Sequence, residues 1–227
     1  MKTLGILATL LATASLAAAD LITEPTRTFN VNTVIGDPQD PPMLFLQTIN
    51  DSAIVSLTKV EVGLHLVGNP SGNGFASDMF VSLNQNFGAT SILLNRVGMS
   101  DSDSTGYFYD GWDVTLSDDA PGGDIHNVDS SDSLSILSGN YAPDGRTNPT
   151  DTARPSLLDV FSGTAGNGDW RLAVGDLSAS GDMELISWSL RLTGYTVVPE
   201  PATVSLLALG GLGLLAWRRQ KNSGRTK

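Results

Sequence analysis

The sequence contains no cysteine. That excludes a disulfide framework, a thiolate zinc site and a cysteine nucleophile. Histidine is almost missing as well: His65 and His126 are the only two in 227 residues, too few for a histidine-rich metal cage. Outside the two ends, no stretch of useful length carries the 3.6-residue apolar period of an amphipathic helix. There is no Gly-x-Ser-x-Gly elbow, no His-Glu-x-x-His pair, no phosphate-cradling glycine loop and no dinucleotide fingerprint. Serine is plentiful, but a serine without a positioned base is not a nucleophile. Catalysis is therefore not expected.

Positive charge is scarce between the ends. Seven Lys and Arg face all 24 Asp and Glu between Asp20 and Glu200, a formal charge of −17. A body this acidic repels phosphate backbones, which excludes nucleic acid as a partner. What the chain does have is 41% hydrophobic residues, 24 Gly and 11 Pro. That is enough apolar material for a core, with many turns. The length fits one domain with processing segments.

Residues 1–19 read as a secretory signal peptide. Lys2 is the positive n-region, residues 4–11 are the apolar core, and Ala17-Ala18-Ala19 offers small residues to a signal peptidase, with cleavage before Asp20. A second apolar run, residues 202–217, carries no charge and would measure about 24 Å as a helix. With its flanking residues it can serve as a transmembrane helix. Arg218 and Arg219 follow at once, and positive charge favours a cytoplasmic 218–227 tail.

Directly before the run stand Pro199, Glu200 and Pro201. Pro-Glu-Pro, an apolar segment containing Gly210, Gly211 and Gly213, and then a basic cluster including Arg218 and Arg219 together resemble the PEP-CTERM sorting signal. The resemblance implies recognition by an exosortase, a membrane protease-transpeptidase of Gram-negative bacteria that make extracellular polysaccharide. It also implies cutting near Pro-Glu-Pro, so that the membrane anchor is transient and the body is released or attached at the cell surface.

The body reads as strands. Val60, Val62, Leu64 and Leu66 alternate with Lys59, Glu61, Gly63 and His65. Trp170, Leu172 and Val174 alternate with Arg171 and Ala173, and Ile186, Trp188, Leu190 and Leu192 with Ser187, Ser189 and Arg191. Period two over such lengths marks half-buried strands. Residues 43–49, 79–83, 91–97 and 114–116 are further strands, separated by Gly-, Pro-, Asn- and Asp-rich turns. The expected fold is all-β, a jelly-roll β-sandwich, with 20–52 as an N-terminal strand region, 53–194 as the main sandwich and 195–201 as a linker.

The second half carries Phe161-Ser162-Gly163, then Gly168-Asp169-Trp170-Arg171-Leu172-Ala173-Val174-Gly175-Asp176, then Leu185-Ile186-Ser187-Trp188-Ser189-Leu190. Upstream stand Asp118-Asp119-Ala120 and Tyr141-Ala142-Pro143-Asp144-Gly145. In this order they resemble the P domain (P/Homo B domain) of proprotein convertases and of many bacterial secreted proteins, over residues 53–194. The resemblance implies a galactose-binding-like jelly roll. In convertases this domain supports a neighbouring subtilisin-like protease domain, which has no counterpart here.

Metal is the remaining site chemistry. Asp118, Asp119 and Asp124 lie close in sequence, and hard oxygen ligands in a sandwich loop suit Ca²⁺. Asp101-Ser102-Asp103-Ser104-Thr105-Gly106 looks like half a calcium loop, but Trp112 stands where the closing Glu belongs. The alternative is that these aspartates form turns. His65 is expected to be structural and His126 solvated. Trp170 and Trp188 are expected in the core. The functional expectation is an exported, non-catalytic surface or matrix protein, structural or adhesive. Two rivals stand beside it: a module binding polysaccharide or protein, and an accessory to a separate subtilisin-like protease.

Overall fold

Valine, isoleucine, leucine and aromatic side chains at every second position fit a pleated, half-buried surface, and the computed structural model is built from such strands. It describes residues 19–36, 41–68, 76–128, 135–179, 181–197 and 211–213. In chain order the strands are β1 (Ala19–Thr23), β2 (Arg27–Ile35), β3 (Met43–Ile49), β4 (Ile54–Gly68), β5 (Met79–Gln85), β6 (Thr90–Asn95), β7 (Gly111–Leu116), β8 (Ile136–Tyr141), β9 (Gly168–Asp176) and β10 (Met183–Val197). Short 3₁₀ turns stand at Ala76–Asp78, Ile125–Asn127 and Leu158–Phe161.

The strands form two sheets. One runs β1-β10-β4-β7-β8, with β2 also on β10; the other runs β3-β9-β5-β6. β10 pairs antiparallel with β2 and β4, β4 with β7, β9 with β3 and β5, and β5 with β6, while β7 and β8 run parallel. Their inner faces share one apolar cluster, a sandwich-like arrangement. Trp112, Trp170 and Trp188 all lie in this core, at most 1% exposed. Phe161 meets Trp170 edge-on at 5.2 Å, and Phe29 meets Trp188 at 4.7 Å. All strand residues except Ala19, Asp20 and Val197 fall within one compact unit, Leu21–Thr196.

Several boundaries differ from the sequence expectation. β1 begins at Ala19, one residue before the expected cleavage, and β10 runs to Val197, through the first residues expected as linker. Ile186 does not belong to the inward row. A register shift between Leu185 and Ser187 puts Leu185 in the core at 0% exposure and leaves Ile186 half-buried. One extra residue in a strand reverses the parity of its faces, so alternation projected back from Trp188 picks the wrong neighbour. Residues 1–18, expected as signal peptide, lie outside the described residues. So do Pro199, Glu200, Pro201, Arg218 and Arg219, and most of the apolar run, of which only 211–213 is described, as helix. Among the described residues no helix is long and apolar enough to cross a membrane.

Candidate functional site

Of the acidic residues singled out from sequence, Asp103, Asp118, Asp119 and Asp124 each serve a structural bond. Asp118 accepts from the amides of Leu158 (2.9 Å) and Asp159 (2.7 Å), and so caps the 3₁₀ turn that starts there. Asp119 meets Lys59 Nζ at 2.7 Å and accepts from Ser117 Oγ at 2.8 Å. The Lys59 bond, then that of Ser117, holds its carboxyl below the usual range. Asp124 caps the Ile125–Asn127 turn through the amide of His126 (3.0 Å) and pairs with Arg146 at 2.7 Å. Asp103 takes bonds from the hydroxyl and amide of Thr105 and the amide of Gly106, an Asx turn that accounts for the half calcium loop. Among the described residues no group of three or more His, Asp or Glu side chains is placed to hold a metal ion.

The structure assembles a different polar cluster. Asp144 is 0% exposed, and one of its oxygens lies 2.7 Å from His126 Nδ1. The same carboxylate accepts from the backbone amide of Asn95 (3.2 Å) and from Arg146 Nη1 (3.1 Å). Arg146 reaches on to Asp124 and to the carbonyl of Asp151 (2.7 Å). Arg154 donates to the carbonyls of Asp144 and Pro143. Gly145 turns the chain here at φ +71, and a Cβ at that position would sit 2.7 Å from Leu157.

His126 is therefore not solvated, as the sequence suggested, but buried at 5% exposure. Its other nitrogen, Nε2, lies 2.9 Å from the carbonyl of Met99. A carbonyl only accepts, and so does a carboxylate already bonded to arginine. Both ring nitrogens must then donate, which requires the imidazolium. Burial opposes that charge, but the bond and charge of Asp144 together with the bond to the Met99 carbonyl outweigh it, and the pKa of His126 is raised above its ordinary value. The cluster ties three segments together: 95–99, 124–128 and 142–154. Nothing in the sequence marked it, because His126 and Asp144 meet across 18 residues, and His126 and Met99 across 27.

A buried His–Asp pair can serve a nucleophile, but here Nε2 is taken up by a backbone carbonyl. His65, on the outward face of β4, is half-buried beside Ser187 and Asp113 in the neighbouring strands.

The C-terminal segment carries the decisive likeness. Residues 197–220 match the PEP-CTERM protein-sorting motif. The match begins at the last residue of β10 and spans Pro199, Glu200, Pro201, Arg218 and Arg219; it does not extend into the β body. A sorting motif of this kind implies export and processing by an exosortase. No curated protein matches the chain.

Proposed function

We propose that this chain is an exported, exosortase-sorted and non-catalytic β-sandwich protein of the cell surface or extracellular matrix, with a structural or adhesive role. The observation that carries it is the sorting motif at 197–220, directly after the last strand. The apolar run would anchor the chain in the membrane until the exosortase cuts it, and the signal peptidase would have removed residues 1–19. The body would be a P domain of the convertase type, a jelly roll without its protease. The order of the Phe161, Trp170 and Trp188 motifs supports this, as does their convergence in one core. The lack of catalysis is supported by the blocked Nε2 of His126.

The test is replacement of Pro199, Glu200 and Pro201 by alanine in the full-length chain, followed by cell fractionation in a host with an exosortase. The expected result is unprocessed chain retained in the membrane fraction, where the parent chain reaches the surface or medium. Equal distribution of the two would contradict the proposal.

A further inference from the structure

The outward face of the first sheet is paved with small polar side chains in register. One row crosses five strands: Thr28 on β2 opposes Ser189 on β10, Ser189 opposes Gly63 on β4, Gly63 opposes Thr115 on β7, and Thr115 opposes Asn140 on β8. At ordinary strand spacing such a row is about 19 Å long. Among the described residues, the side chains of Thr28, Ser189, Thr115 and Asn140 have no hydrogen-bond partner within the protein. Gly63 is the low point: a Cβ there would lie 2.4 Å from Ser189 Oγ. A groove of about 390 Å³ opens over the part of the row from Ser189 to Asn140, a size within the ordinary range for small-ligand sites, roughly 300–1,000 Å³.

Beside the row stands a chain of charges. Arg191 lies 3.5 Å from Glu61, Glu61 lies 3.4 Å from Lys59, and Lys59 lies 2.7 Å from Asp119. The groove wall thus holds two cations and two anions, balanced locally in a body of formal charge −17. The body's seven Lys and Arg are not equally available: side-chain exposure is 51% for Arg191 and 34% for Lys59, against 28% or less for the other five. The two most accessible cations therefore share this one groove.

The chemistry of the lining selects the ligand. Among the described residues Ala120 and Pro121 are the only apolar side chains lining the groove, so a lipid tail or an apolar peptide face gains little there. The surrounding negative charge disfavours polyanions. A neutral polyol fits, because each hydroxyl both donates and accepts. It can bridge Arg191 and Glu61, or Lys59 and Glu61, while others meet the free Ser, Thr and Asn groups. We propose that the groove over Gly63 is a binding site for a neutral saccharide chain. This rests on the adhesive reading only for which side of the membrane the groove faces; binding itself is measured on purified protein, so failure of sorting and failure of binding are told apart.

The test is calorimetric titration of the full-length chain with cellohexaose, maltohexaose and mannohexaose, with hexagalacturonate as the anionic probe. At least one neutral probe should bind, and hexagalacturonate should bind more weakly. Asn140→Ala and Arg191→Ala should each weaken that binding about tenfold, as expected for loss of a bond to a polar or charged partner. Both sites are exposed, so unchanged melting temperatures should confirm folded variants. Gly63→Val should abolish binding by filling the floor. Leu44→Ala, exposed on the other sheet, should leave binding intact. The proposal is overturned if no neutral probe binds, or if Asn140→Ala and Arg191→Ala bind as well as the parent.

Discussion

At the scale of single residues, His126 shows how a side chain's role depends on partners distant in sequence. Its ring lies between Asp144 and the Met99 carbonyl and holds both only while doubly protonated. The folded pKa is raised above 6.5, so the charged form stabilises the fold. This contribution is complete below the unfolded value of about 6.5 and is lost as pH rises through the raised folded value. Comparison with His126→Asn isolates it from the many carboxylates. The parent should melt above the variant by several degrees near pH 5.5, for a charge-assisted bond of about 1.5–3 kcal/mol. The gap should narrow by pH 9, and a gap of constant size would contradict the buried imidazolium. Sequence reasoning could not reach this cluster, since a lone histidine among Gly and Asp reads as solvated. The tryptophans were legible, because large side chains alternating with small polar ones leave few places but the core.

At the scale of elements, the strands with clean alternation were legible, and those with turn-like composition were not. β3 matches its expected bounds of 43–49. β8 was not among the expected strands, because Ser138, Gly139 and Asn140 carry no apolar alternation, yet it forms in parallel register with β7. The bulge in β10 was hidden for another reason: periodicity carries no mark of an inserted residue. It has a direct test. Leu185→Ala should cost about 2–5 kcal/mol, as for a filled core site, while Ile186→Ala should cost less than half of that. Equal losses by chemical denaturation would contradict the register shift. The aspartate loops were legible as turn formers and as metal ligands alike, and their hydrogen bonds favour the former. Asp118→Ala should therefore cost about 1–3 kcal/mol through the two orphaned amides of Leu158 and Asp159. It should do so equally in EDTA and in millimolar Ca²⁺, and the parent's melting temperature should not change between them. A rise of several degrees with Ca²⁺ would mean that these carboxylates hold an ion after all.

At the scale of the whole molecule, the tail was the most legible part, because motif, apolar run and arginine pair are read from local order alone. Function in the body was less so: its groove takes residues from four strands, β4, β7, β8 and β10, brought together only by register, with Thr26 and the 117–121 connection beside them. Purified chain is expected to release no peptides from casein, since no nucleophile stands at His126 Nε2. The central proposal, export followed by exosortase processing, is tested most directly by the intact mass of the chain. It would be recovered from one polysaccharide-producing host and from the same host lacking its exosortase. With the enzyme present, the mass should correspond to a chain ending close to Pro199–Pro201. Without it, the chain should keep residues 202–227 and remain with the membrane. An identical C-terminus in both hosts would contradict exosortase sorting.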